Sequence, residues 1–152
     1  MTLGASTRQD GVTKALDAWL ADRHPGDYVA LHAYLAPTAA TTAALEAIRL
    51  ALRHRTRLAT TVGYGPRFLH STGQLHKGGP NTGLFLQLVD EPAQSVPVPE
   101  TEYSFGALIR AQALGDLLAL KKRGRRVLRV NLGKDAPHEL NRLVEALHVV
   151  HG

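Results

Sequence analysis

Tyr28 to Tyr64 reads "YVALHAYLAPTAATTAALEAIRLALRHRTRLATTVGY". It opens with "YVALHAYL", an apolar run of strand length that "PGD" (Pro25 to Asp27) separates from what precedes it. In the stretch that follows, Leu45, Ile48 and Leu52 recur at helical spacing and alanine fills the gaps. Arginines cluster at the C-terminal end of that stretch, where the helix dipole favours cations. "LATTVGY" is again strand-like. A strand, a helix and a second strand in this order make the unit of a parallel sheet, because parallel neighbours need a long crossover.

The same alternation continues on both sides. Upstream, "DGVTKALDAWLADRH" places Val12, Leu16, Trp19 and Leu20 at helical spacing, with Asp10 as its cap. Residues 1–9 read as a disordered end or an artificial start. Downstream, "GLFLQLV" (Gly83 to Val89) is a third strand, and "DEPAQSVPVPETEY" is a loop rich in proline and acid. "SFGALIRAQALGDLLALKKRG" is a helix with Ser104 as cap, a stripe of Ile109, Leu114, Leu117 and Leu118, and Gly124 at its end. "RVLRVNLG" is a fourth strand. "DAPHELNRLVEALHVV" is a closing helix capped by Asp135, with Pro137 in its first turn. Residues 10–152 therefore read as one α/β domain: a three-layer αβα sandwich on a doubly wound, mostly parallel sheet of about four strands in order 2-1-3-4. Ligands of such sheets gather at the carboxyl ends of the strands, near the switch point.

The 152 residues carry 18 basic and 13 acidic side chains, a formal charge of +5, and no cysteine. A chain of this length buries roughly 70% of its unfolded surface and needs no disulfide or metal staple. No apolar run approaches the ~18 residues of a membrane span, and the first residues lack a signal sequence. The expectation is a cytoplasmic protein. The positive charge permits an anionic ligand. Aromatic residues do not interleave with basic ones, so a base-stacking surface for nucleic acid is not expected. The run "KKRGRR" (Lys121 to Arg126) reads as a helix end plus a solvated edge. His32 and Tyr34 read as packing residues on alternating strand faces. His24, His54, His138, His148 and His151 form no constellation in the sequence.

The second strand runs into "GYGPRFLHSTGQLHKGGPNTG", Gly63 to Gly83. Arg67, His70, Gln74, His76 and Lys77 fall within eleven residues there, at the expected ligand edge. Histidine and lysine can move a proton or hold an anion, and glutamine both donates and accepts. No phosphate-loop order or dinucleotide fingerprint is present. The two histidines are six apart and no cysteine or carboxylate joins them, so no metal site is expected. Ser71 and Thr72 also read as helix-start residues. Gly78, Gly79 and Gly83, with Pro80, also read as turn residues.

The segment "GYGPRFLHSTGQLHKGGPNTGLFLQL" closely resembles the C-terminal part of bacterial bifunctional transaldolase/glucose-6-phosphate isomerase fusions. "GDYVALHAYLAP" before it and "YSFGALIRAQALGDLLALKKRGRRVLRVNLG" after it extend the resemblance from Gly26 to Leu143. It implies the second of two sugar-isomerase (SIS) domains in the phosphoglucose isomerase family, each a parallel sheet between helices. The implied reaction interconverts glucose 6-phosphate and fructose 6-phosphate through an enediol, in central carbohydrate metabolism, with no cofactor or metal. The implied substrate-binding residues are Arg67, His70, Ser71, Thr72, Gln74 and Lys77, and the candidates for catalysis are His70, His76 and Lys77.

Two positions depart from the family. Phe68 stands where single-function isomerases carry a carboxylate base. Arg142 aligns with a ring-opening lysine, and arginine does not deprotonate. The implied partners are a sugar phosphate, a first SIS domain and a transaldolase domain of the same polypeptide, with a homodimer open and neither nucleic acid nor membrane. The chain is then a fragment of a larger isomerase and inactive alone. The alternatives are a non-catalytic sugar-phosphate-binding module or an assembly domain.

Overall fold

The computed structural model describes residues 2–3, 9–65, 82–90 and 105–148. Its elements run β1 (Thr2–Leu3), α1 (Gln9–Ala21), β2 (Tyr28–Tyr34), α2 (Ala39–Thr56), β3 (Ala59–Tyr64), β4 (Gly83–Asp90), α3 (Phe105–Lys122), β5 (Arg126–Gly133) and α4 (Ala136–His148). The strands form one sheet in order β1-β5-β4-β2-β3, and every pairing is parallel. The four strands read from the sequence thus stand in the expected order 2-1-3-4, and helices cover both faces as a three-layer α/β sandwich. Among the described residues no helix is long and apolar enough to cross a membrane.

The two faces of the sheet differ in chemistry. Val29, Leu31 and Ala33 of β2, Leu84, Leu86 and Leu88 of β4, and Leu128, Val130 and Leu132 of β5 alternate onto one face. There they meet Leu16 and Leu20 of α1, Leu45, Ile48 and Leu52 of α2, and Leu140 and Leu143 of α4. This layer is the main core, and each fully buried leucine or isoleucine in it contributes about 1.5–3 kcal/mol of transfer free energy. The opposite face carries Ala30 and Phe85 against Leu120, and Tyr34 and Val89 against Ala113, both of α3.

Local chemistry sets the element ends. Thr38 caps α2 with a reciprocal box: its Oγ1 accepts from Thr41 N at 3.1 Å, and Thr41 Oγ1 accepts from Thr38 N at 2.8 Å. Asp135 caps α4, its Oδ1 accepting from His138 N at 3.3 Å. Gly124 follows α3 at φ +69. Gly83 is the first residue of β4, and a Cβ there would lie 2.6 Å from Phe85 Cζ and 2.8 Å from Tyr28 Cζ. Its lack of a side chain makes room for the edge-to-face contact of those rings, 6.0 Å between centroids.

Several expectations are corrected. Thr2–Leu3 adds an edge strand to the four expected, pairing with Arg129–Val130, because the outer edge of β5 offers unpaired backbone groups. Asp10 lies inside α1, which begins at Gln9. The expected cap Ser104 lies outside the described residues. On α3, Ile109 and Leu117 do face the sheet, together with Ala113, Asp116 and Leu120, but Leu114 and Leu118 are 47% and 57% exposed. Arg126 is no solvated edge residue. Its Nη1 donates to Asp27 Oδ2 at 2.7 Å and to the Asp22 carbonyl at 2.7 Å, clamping the turn before β2 to the start of β5.

The Arg126 guanidinium holds the Asp27 carboxyl below the usual carboxylate range, with the His24 N–H, 2.6 Å away, adding to the effect against the opposing cost of burial. A depressed folded-state pKa contributes stability above the unfolded value of ~3.9 and loses it as pH falls through the folded value. Asp27→Asn should therefore cost about 1–2 kcal/mol in urea unfolding at pH 7, allowing for partial solvent screening. The gap from the parent should narrow as acid protonates Asp27 in the folded state; a gap as large in acid as at pH 7 would assign the effect to something other than the ion pair.

Candidate functional site at the carboxyl edge of the sheet

The interior strand β2 has β3 on one side and β4 on the other. The chain leaves β2 in one direction and reaches β4 in the other, so the switch point lies between the carboxyl ends of β2 and β4. Asp90 closes β4 at this place, next to a register irregularity between Val89 and Asp90. Its half-buried carboxyl is pushed above the usual carboxylate range by burial, against the backbone N–H of Ala36 and the charge of Arg110 on α3. Burial makes this carboxyl hold its proton to higher pH than an exposed one, the direction that suits a group that both gives and takes a proton.

The other described residues at this edge include several polar side chains. Tyr64, the last residue of β3, reaches the first turn of α2, where its hydroxyl lies 2.7 Å from Thr42 Oγ1 and 3.4 Å from Thr41 Oγ1. Gly65 N donates to the Ala33 carbonyl at 2.8 Å, so the chain is held at this edge as it leaves β3. At the end of β5, Asn131 Oδ1 accepts from Gly133 N at 2.9 Å and stabilises the turn, where Gly133 has φ +70.

Beneath the edge, a polar row crosses the sheet on the α3 face. Gly63, His32, Gln87 and Arg129 are register neighbours. His32 is buried and lies 5.4 Å from the Phe85 ring. Gln87 is fully buried in β4, the middle strand. Its Nε2 donates to the Ala113 carbonyl at 2.8 Å, while Oε1 has no partner among the described residues. One step nearer the edge, the Tyr34 hydroxyl donates to Asp116 Oδ2 of α3. Burial, with Asp116 reinforcing it, pushes the Tyr34 phenol far upward, so it stays a neutral donor. His32 and Tyr34 therefore share one face, being two residues apart on a strand, and are not on alternating faces as expected.

The residues singled out in the sequence, Arg67, His70, Ser71, Thr72, Gln74, His76 and Lys77, lie outside the described residues, as does Phe68. Arg142 is on α4, where its Nη1 lies 3.3 Å from Glu139 Oε1 one turn earlier. Asp90, Tyr64, Thr42 and Arg110 were not singled out. Asp90 had a signal, an acid directly after an apolar strand, but it read as the start of the acidic loop.

No protein-family model matches the chain, and no curated protein matches it. Among solved structures it is similar to a hypothetical protein from Thermus thermophilus, with 20% sequence identity and a TM-score of 0.64. The match covers 91% of this chain and 37% of that one, so this chain spans little more than a third of that protein's length. At this identity the likeness is one of fold.

The contact between Tyr34 and Asp116 ties α3 to β2. Tyr34→Phe keeps the ring and removes the donor to a buried carboxyl group, which should cost roughly 1–3 kcal/mol. Chemical denaturation of the variant measures it. A change within about 0.3 kcal/mol of zero would mean that Asp116 finds an equivalent donor.

Proposed function

We propose that this chain is the C-terminal SIS domain of a glucose-6-phosphate isomerase from a transaldolase/isomerase fusion, and that it holds part of the sugar-phosphate site without turning over substrate alone. Two features at the carboxyl edge of the sheet support the reading. One is the half-buried Asp90 carboxyl beside Arg110. The other is the exit of β3 at Gly63 to Gly65 into "PRFLHSTGQLHK", whose resemblance names the substrate. Aldose–ketose isomerisation needs a group that carries a proton between adjacent carbons. Phe68 stands where the family has its carboxylate, and Asp90 is a carboxylate at the same edge of the sheet. In this reading Lys77 and Arg67 hold the phosphate, Ser71, Thr72 and Gln74 bind sugar hydroxyls, and His70 and His76 assist proton movement. The first SIS domain, expected to hold most of the phosphate, and the transaldolase domain are the partners. The exposed leucines of α3 are where their contact, or a homodimer, would be sought.

The second reading is a sugar-phosphate-binding module without chemistry. The engagement of Arg142 by Glu139 favours it, since Arg142 occupies the position of the ring-opening lysine.

Titration with fructose 6-phosphate, followed by backbone amide NMR, should shift Gly63, Gly65 and Asp90. Lys77→Ala should weaken that binding by roughly 1.5–3 kcal/mol, the worth of a charge-assisted hydrogen bond. A coupled dehydrogenase assay on the 152-residue chain should find no useful turnover. In the full-length polypeptide Asp90→Asn should lower kcat by about 10²–10⁴ with KM little changed. Intact turnover in that variant would favour the binding-only reading for this domain, and absence of any shift at millimolar ligand would sink both.

A further inference from the structure

The opposite, amino edge of the sheet carries a second concave surface. A cavity of about 860 Å³ opens between the C-terminal ends of α2 and α4 and the start of β3. That volume lies within the range of small-molecule sites. Four basic side chains converge on it from three elements: Arg53 and His54 of the last turn of α2, Arg57 of the turn into β3, and His148 at the end of α4. Its apolar wall includes Leu50, which is 49% exposed, and Leu58. Arg57 also lines a neighbouring hollow of about 620 Å³ that contains Arg23 and His24.

Among the described residues none of these four basic side chains is paired with a carboxylate. The single carboxylate of α2, Glu46, is held by Arg49, and Asp17 of α1 is held by Arg55. Two helix C-termini point toward this edge and contribute about half a negative charge each. The full charges of Arg53 and Arg57 exceed that sum before any histidine protonates. Capping α2 would not by itself explain Arg57. It sits in the left-handed region at φ 61 and is exposed, a position that glycine fills without steric cost. Its backbone N–H, which any residue supplies, already makes the cap bond to the Arg53 carbonyl at 2.8 Å.

We infer that this cavity binds an organic phosphate, with the Arg53 and Arg57 guanidinium groups on the phosphate and the Leu50–Leu58 wall on the organic body. Guanidinium pairs oxyanions bidentately, and an exposed leucine beside them gives apolar surface that inorganic phosphate cannot use. The site is separate from the carboxyl edge and does not rest on the function proposed above.

The test is amide NMR of the whole chain with two probes, phenyl phosphate and inorganic phosphate. Phenyl phosphate should shift Leu50, Arg53, His54 and Leu58 and bind at least about fivefold more tightly than inorganic phosphate. Arg57→Gly removes the cation while relaxing the backbone, so a loss of binding is not a loss of fold. It should weaken phenyl phosphate by about tenfold or more, and Arg53→Gln likewise. Unchanged affinity in Arg57→Gly, or equal affinity for the two probes, would overturn the inference. So would shifts confined to Gly63, Gly65 and Asp90, which belong to the other edge.

Discussion

The fold depends on β2 being hydrogen-bonded along both of its edges. Tyr28 to Ala33 pair with β3, and Tyr28 to Tyr34 pair with β4. With its backbone groups spent in the sheet, β2 can be stabilised further only through its two faces. Val29, Leu31 and Ala33 supply one, and they are buried under the three-helix layer. The other face carries Tyr28, His32 and Tyr34, whose polar atoms must find partners under α3. That requirement explains why an acid, Asp116, sits on the otherwise apolar buried face of α3. It also explains why the switch point, forced by strands departing in two directions, opens beside the polar face.

What the sequence made legible follows from where its patterns had only one solution. Leu45, Ile48 and Leu52 form a single narrow stripe, with threonine at one end and arginine at the other, so α2 and its buried face could both be read. On α3 the leucines and alanines surround most of the helix. Leu108, Leu114 and Leu118 satisfy helical periodicity as well as Ile109, Ala113, Leu117 and Leu120 do, and only the sheet decides between them. Thr2 and Leu3 are too few to carry a period. Arg126 looked like one more member of a basic run, because its partner Asp27 lies across the sheet at the start of a different strand.

The candidate sites show the same limit in another form. The dense polar segment after Gly65 could be singled out from composition, because its residues are close in sequence. Asp90 could not, since its meaning comes from the neighbouring carboxyl end of β2, visible only once the strand order is known. The four basic side chains of the amino-edge cavity come from the ends of α2 and α4 and the turn after α2, far apart in the chain. His54 and His148 therefore formed no constellation in the sequence, although they line one cavity.

A parallel sheet with antiparallel helices also makes its two edges electrically unlike. At the carboxyl edge α2 and α4 begin, each with the positive end of its dipole, and Thr38 and Asp135 already cap the N–H groups of Thr41 and His138. An anion there is favoured by the helix dipoles. At the amino edge the same helices end in carbonyls, and an anion is tolerated only where side chains supply more positive charge than the helices remove. Arg53, His54, Arg57 and His148 gather at that edge, and Arg57 keeps a backbone conformation that its own side chain disfavours. The same polarity that favours an anion at the carboxyl edge thus requires an anion at the amino edge to be met by cationic side chains.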